Sequence, residues 1–299
     1  MYTLVRKIIR SGASRLKHRL HPREIAWRRL QKTAPDKPTI ARLGRNLKVR
    51  VYPFDVIGRS IFVDHAFEPA ESKFVCNFLK PGMVFVDVGA NLGQYTLYAA
   101  ERVGPTGQVH SFEPHPRMFA ELQHNVRLNK LENICRLNNF ALSDMNGSSD
   151  FVCYQPGKEV YGSFGAHGRS AEHVTGTIRV DTVRLDDYIE RNSIERVHLL
   201  KMDIEGAELL ALRGAQQLLR GLQAPTLTVE ICQDNTRGCG YDAVEIIDFL
   251  QSCGYHSHAI DACGRVSREE SRINTPGSNL AFLKDPIGSP TFGTLVCGQ

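Results

Sequence analysis

From residue 83 to residue 262 the chain alternates short apolar runs with longer amphipathic ones, and this rhythm restricts the fold more than any other feature of its 299 residues. MVFVDVG, QVHSFEP, NICRLNNFAL, VHLLKMDI, PTLTVEICQ and YHSHAID read as strands, with NLAFLKD as a last one. Between them QYTLYAAERV, RMFAELQHNVRLNKL, AELLALRGAQQLL and YDAVEIIDFLQSCG place apolar residues at helical spacing. Strands joined by helix-length crossovers pair in parallel, and a parallel sheet is apolar on both faces, so it needs helices on both. The expectation is an α/β fold. Upstream, HPREIAWRRLQ reads as a short helix, TAPDKP as a linker, LKVRVYP and SIFVD as strands, and EPAESKFVCNFLKPG as a helix stopped by Pro81 and Gly82. Residues 155 to 177, rich in Gly, Ser and His, break the rhythm between SSDFVCY and IRVDTV, as either a substrate lid or an ordinary surface loop.

Charge is unevenly spread. Residues 1–50 hold fifteen Lys or Arg against only Glu24 and Asp36, which leaves the rest of the chain at −8 although the whole carries +5. An acidic body disfavours wrapping a nucleic-acid duplex, so a nucleic-acid-binding reading would rest on the basic start alone. In residues 1–20, Val5, Ile8, Ile9, Gly12, Leu16 and Leu20 fall on one helical face and the cations on the other. That arrangement fits peripheral contact with an anionic membrane surface, a helix packed on its own domain, or a poorly ordered extension, with a mitochondrial presequence as a weaker reading. The opening lacks the unbroken apolar core of a signal peptide. The eight cysteines show no CxxC pair or zinc spacing, and are expected to be reduced thiols in a cytoplasmic protein, or one at the inner membrane surface.

The sharpest local motif is VFVDVGANLGQYT, a strand, then Gly89, Asn91 and Gly93, then a helix. Glycine lets the backbone turn tightly and approach a ligand, and the helix start offers unpaired N–H groups. Alone this does not separate one nucleotide-like ligand from another. Asn91 stands where a dinucleotide fingerprint needs its second glycine, and Asp87 adds negative charge near the turn, which suits a cationic sulfonium better than a pyrophosphate. Glu113 ends the next strand and can accept both hydroxyls of a ribose, in NAD or in S-adenosylmethionine alike. Asn139 and Phe140 fall where an adenine would meet the sheet, although a turn residue beside a core aromatic reads the same way.

KPGMVFVDVGANLGQYTLYAA, SFEPHP, NNFALSD, VRLDDYI, HLLKMDIEGAELLALRGA and LTVEICQ, in this order, resemble the FkbM-type methyltransferases, which use S-adenosyl-L-methionine. The resemblance covers roughly residues 70 to 262, with NLAFLKD a weaker echo. It implies a class I methyltransferase (Rossmann-like) fold, with a mostly parallel seven-stranded sheet ending in an antiparallel hairpin. It also implies O-methylation of hydroxyls on sugars or secondary metabolites. Asp87, Gly89, Asn91, Gly93 and Glu113 resemble the family's cofactor-binding positions, and Asn139 and Ala141 its adenine-side segment. The expected organisation is a basic helical extension over 1–50, a methyltransferase domain over 51–285 with its core motifs in 82–262, and a tail over 286–299.

A sugar hydroxyl is a poor nucleophile and needs a base or a metal to lose its proton. KMDIEGAE, at the end of a buried strand, supplies the candidates. Asp203 leads as base, and Lys201 is its partner or the substrate's. Glu205 and Glu230, the latter ending the next strand, can face the same cleft, while Glu208 fits helix capping. His115 is a less favoured base. Asp203, Glu205 and Glu230 together offer the oxygen ligands that Mg²⁺ takes, as a reading not favoured over the base. The competing functions are an NAD-dependent oxidoreductase and the nucleic-acid-binding protein; the acceptor and the oligomeric state are left open.

Overall fold

The structure is a computed structural model that describes residues 21–165, 171–267 and 278–284. The expected basic helix over 1–20 and the tail over 286–299 lie outside the described residues. The chain enters as helix α1 (Pro22–Thr33), followed by the hairpin β1 (Thr39–Leu43) and β2 (Leu47–Val51). Residues 21–50 are therefore a helix and a sheet rather than a purely helical extension. Trp27, Ala41, Leu43 and Val49 belong to the main core. SIFVD, expected as a strand, lies in helix α2 (Val56–Asp64), because Ile57 and Ile61 are buried at helical spacing and outweigh the apparent alternation. Helix α3 (Pro69–Phe78) runs as expected up to the Pro81–Gly82 stop.

The alternating region begins with β3 (Val84–Val88), α4 (Gln94–Val103), β4 (Gln108–Phe112), α5 (Pro116–Leu128) and β5 (Cys135–Asn138). NICRLNNFAL, read as one strand, is two: β5 stops at Asn138, and Ala141–Leu142 forms β6 in another sheet. There β6 pairs with β8 (Val174–Val183), and β8 pairs antiparallel with β7 (Gly147–Tyr154). The chain returns through α6 (Leu185–Arg191), β9 (Leu199–Met202), α7 (Glu208–Arg213), α8 (Gln216–Arg220), β10 (Thr226–Ile231), α9 (Gln233–Gly238), α10 (Val244–Ser252), β11 (His256–Ala259) and β12 (Ser278–Leu283). AELLALRGAQQLL, expected as one helix, breaks at Gly214, whose backbone passes so close to the Ser143 carbonyl that a Cβ would lie 2.0 Å from it.

The central sheet has seven strands in the order β11-β12-β10-β9-β3-β4-β5. β12 runs antiparallel between β10 and β11, and the other described pairings are parallel. This is the sheet the resemblance implied, including its antiparallel end. Side chains alternate across it. Phe85, Val109 and Leu199 pack under α3, α4 and α5, whereas Val86, Val88, Leu200 and Met202 pack against α7, α8 and α10. Strand order reverses at β3: β4 and β5 lie to one side, β9 and β10 to the other. In open α/β sheets the crevice outside the carboxyl ends at such a switch point is where ligands bind.

Candidate active site

A cleft of about 880 Å³ opens at that switch point. Its floor is the turn after β3, where Gly89 and Ala90 donate their N–H groups to the Phe112 carbonyl at 3.0 Å each. Gly89 has φ of 79°, and a Cβ there would lie 2.0 Å from the Asp203 carbonyl oxygen. Any side chain would thus push β3 and β9 apart where the cleft begins. Asn91, with φ of 51°, also lines the cleft, and its side-chain oxygen accepts from the Leu92 N–H at 2.8 Å.

Glu113 closes one side. It is 6% exposed, and its two oxygens accept from the backbone N–H groups of Asn91 and His115, at 2.8 Å each. Burial pushes its pKa up to about 7, against the lowering effect of those two donors. Its carboxylate remains at the cleft wall, where unused lone pairs can accept hydroxyl protons. Around it Phe112, Phe140, Ala141, Leu142 and Phe151 form an apolar wall suited to a purine. The turn without a Cβ, the buried acceptor and the apolar wall together fit S-adenosyl-L-methionine.

Three expected cofactor residues lie elsewhere. Asp87 is fully buried in β3 behind the cleft, where it accepts from the Thr96 hydroxyl at 2.7 Å. Its side chain lies on the same sheet face as Phe85, under α4, with Oδ1 4.0 Å from the Lys201 ammonium. Gly93 caps α4 with φ of 100°, and a Cβ there would meet Leu122 at 2.7 Å, so it serves helix packing. Asn139 is exposed, and its amide donates to the carbonyls of Glu113 and Pro114 at 2.8 and 3.1 Å. It braces the turn that carries Glu113, while its neighbours Phe140 and Ala141 reach the cleft.

The KMDIEGAE cluster forms the opposite side. Lys201 stands opposite Asp87 in the β3–β9 register and is 5% exposed. Its Nζ lies 3.4 Å from Asp203 Oδ2, 4.0 Å from Asp87 Oδ1, 3.3 Å from the Gly89 carbonyl and 4.9 Å from the Tyr95 ring centre. Burial would lower its pKa, but Asp203, Asp87 and Glu68 outweigh that and hold it above the ordinary lysine value. Asp203, expected inside the strand, sits just past its end, and its side chain is 24% exposed at the cleft.

Glu205, with φ of 54°, also lines the cleft and accepts from the Asn235 amide at 2.6 Å. That amide also reaches Glu230 at 3.5 Å. Ligand oxygens of Asp203, Glu205 and Glu230 lie within 4.8 Å of one another. Burial and the neighbouring carboxylates Asp203, Glu205 and Glu208 raise the Glu230 pKa well above the usual range. Glu208 caps the loop, accepting from the N–H groups of Ile204 and Gly206. His115 begins α5, with its ring against Phe151 and its pKa lowered by burial and by Arg117. It does not line the cleft.

Sequence patterns did not reveal several wall residues. Tyr95 lines the cleft directly after the glycine turn, where it reads as an ordinary amphipathic helix position. Glu159, Gly162, Ser163 and Phe164 come from the irregular stretch before β8 and form the upper wall of the cleft. Residues 166–170 of the stretch lie outside the described residues.

Comparison with known proteins gives one consistent grouping. Residues 87–257 match a family model described as the methyltransferase FkbM domain. Among curated proteins, the chain is 34% identical to the 31-O-demethyl-FK506 methyltransferase FkbM of Streptomyces tacrolimicus, over 46% of this chain and 61% of that protein. It is 30% identical to the 2-O-methyltransferase NoeI of Sinorhizobium fredii, over 47% of this chain and 60% of the relative. It is also 30% identical to a methyltransferase of Beauveria bassiana, over 54% and 66%. The chain thus spans somewhat less than two thirds of each of these three. Among solved structures, a methyltransferase FkbM from Methylobacillus flagellatus is similar at 15% identity and a TM-score of 0.44, over 87% of this chain and 58% of that one.

Proposed function

Since the chain belongs to the FkbM methyltransferase family, we propose that it is an S-adenosyl-L-methionine-dependent O-methyltransferase acting on a hydroxyl of a sugar, glycan or related small metabolite. The observation that carries this reading is the Lys201–Asp203 pair at the end of β9, 3.4 Å apart, facing the cleft wall that holds Glu113. The names of two relatives, a 2-O-methyltransferase and a hexuronic acid methyltransferase, support a hydroxylated acceptor. The family assignment lends no support to the NAD-dependent or nucleic-acid-binding readings.

Bound in the cleft, the cofactor supplies an electrophilic methyl group that a hydroxyl oxygen takes up as it loses its proton. The residues of the chain do the rest. Glu113, when ionised, would accept from the ribose hydroxyls, and the Gly89–Asn91 turn would allow close approach of the backbone. Phe112, Phe140, Leu142 and Phe151 exclude water from the purine. Asp203 takes the acceptor's proton, and Lys201 holds that carboxylate in place. Holding the acceptor oxygen in line can itself supply on the order of 7 to 11 kcal/mol in ideal cases. Glu205 and Glu230 shape the acceptor side, and the reading needs no metal there.

No described helix is long and apolar enough to cross a membrane. The described cysteines are free thiols. The experiment is a calorimetric titration with S-adenosylmethionine and with NAD, followed by transfer of labelled methyl to a panel of sugars and lipid-linked glycans, with and without chelator. Cofactor binding and chelator-resistant transfer are expected. Tight NAD binding without S-adenosylmethionine binding would sink the reading.

A further inference from the structure

In the fold, much of the basic charge of the first fifty residues becomes a surface. Residues 21–50 hold nine Lys or Arg against Glu24 and Asp36. Glu24 is buried and bound by Arg28 at 2.9 Å and by Arg59 at 2.5 Å, while Arg50 pairs with Glu121. The remaining cations, Arg23, Arg29, Arg42 and Lys48 among them, have no carboxylate partner among the described residues. In the hairpin Ala41, Leu43, Leu47 and Val49 turn into the core, so Ile40, Arg42 and Lys48 face outward, and all three are exposed.

Arg42 stands directly opposite Lys48 in the β1–β2 register. Like charges so placed across an antiparallel pair repel each other, and an external anion would relieve that repulsion. Arg23, at the start of α1, reaches the same spot: its Nη1 lies 3.1 Å from His65 Nδ1, and Arg42 Nη2 lies 3.1 Å from His65 Nε2. An imidazole has at most one acceptor nitrogen, so His65 cannot satisfy both guanidinium groups. Apolar side chains stand out beside the cations, with Ile40 of β1 48% exposed and Ile25 of α1 55% exposed. Residues 1–20 join the fold at this end of α1, and they add six Lys or Arg and no acid.

We propose that the outer face of β1–β2 and the adjoining start of α1 form a docking surface for an anionic lipid bilayer, to which the basic residues 1–20 add further charge. Cations interspersed with exposed aliphatic side chains suit the headgroup region, where the charges meet lipid phosphates and the aliphatic groups enter the acyl boundary. A nucleic acid would use the charges alone. The only Phe, Tyr or Trp of residues 21–50 is Trp27, which is fully buried, so bases find no stacking platform on this face. The surface is independent of cofactor and acceptor, and its test does not depend on the proposed function.

The test is flotation of the full-length protein with vesicles of phosphatidylcholine alone and with vesicles that contain about 30% phosphatidylglycerol. Binding is expected only to the anionic vesicles, and it should weaken at least about tenfold between about 50 and about 300 mM KCl. Lys48→Glu replaces a cation by an acid on the face and is expected to bind about tenfold to thirtyfold less tightly, at about fivefold per charge. Its new carboxylate faces Arg42, so its Tm is expected at or above the wild-type value, which separates lost contact from lost folding. Arg213→Glu makes the same change of charge on α7, across the central sheet, and should bind like the wild type. Equal vesicle binding by Lys48→Glu and wild type would overturn the proposal, as would an equal loss in Arg213→Glu. Tight, salt-dependent binding of duplex DNA or RNA by a protein that ignores anionic vesicles would also overturn it, and would give the face to nucleic acid.

Discussion

Glu113 shows how one side chain can fix both the shape and the pH response of a binding site. Its carboxylate is held by two backbone donors in a place so poorly hydrated that its pKa rises to about 7. The ionised form is the better acceptor for a ribose, so binding must favour loss of the proton. S-adenosylmethionine affinity is therefore expected to be flat above about pH 7 and to fall as the pH drops through that value; Glu113→Gln should bind weakly with little pH dependence. Isothermal titration across pH 5.5 to 8.5 checks this, and an affinity that rises toward acid pH would contradict it. The same burial acts on folding in the opposite sense. The raised pKa makes the protonated form the stabilising one, so the contribution of this group to stability is present below about 4.5 and lost as pH rises through about 7. The strand-end position of Glu113 was readable from spacing alone. The burial of Asp87 and the outward turn of Asn139 were not, because each depends on what a neighbouring helix or turn places against it.

At the scale of elements, the irregular stretch between β7 and β8 is tied across the cleft by an ion pair that sequence spacing does not show. Arg117 of α5 lies 5.2 Å from the ring centres of both Tyr52 and Phe54, and it pairs with Glu159 and, at 3.8 Å, with Asp55. Glu159 also accepts from the Gly157 N–H and lines the cleft, so the pair joins the upper wall to the body. Breaking one side of a buried pair leaves the other charge stranded, at a cost of about 3–5 kcal/mol for full burial and less here because Arg117 is partly exposed. Arg117→Ala is expected to lower the Tm and to speed cofactor dissociation in stopped-flow chase experiments. The double variant Arg117→Ala, Glu159→Ala should be more stable than the sum of the single effects predicts. Strict additivity would mean that the two residues act independently. Helices and sheet strands were legible wherever periodicity was regular. SIFVD was misread because a five-residue apolar run carries too little period to separate strand from helix, and NICRLNNFAL reads as one strand because nothing local marks where the chain leaves one sheet for another.

The whole molecule is more continuous than its charge distribution implies. The basic start reads as an appendage, yet Trp27 is fully buried, and β1–β2 packs its Ala41, Leu43 and Val49 into the same core as Phe74, Leu97 and Val109. Arg50 of the hairpin also pairs with Glu121 of α5 at 2.7 Å. Truncating a fully buried tryptophan costs about 3–5 kcal/mol, so a chain beginning at residue 51 is expected to unfold well below the full-length Tm or to be insoluble. Equal thermal stability of the two chains would instead make residues 21–50 a detachable extension. The alternating strands and helices disclosed a parallel sheet covered on both faces, because crossover rules follow from that rhythm, while the resemblance implied its seven strands and antiparallel end. The N-terminal hairpin and the three-stranded sheet were hidden, since their place depends on contacts between residues far apart in the chain. The central claim is that Asp203 takes the acceptor's proton in a site that Glu113 and the glycine turn make ready. It is tested most directly by single-turnover methyl transfer in Asp203→Asn beside its cofactor titration. The expected result is S-adenosylmethionine affinity within about twofold of wild type, with a methyl-transfer rate lower by about 10²–10⁴; an undiminished rate would contradict the account.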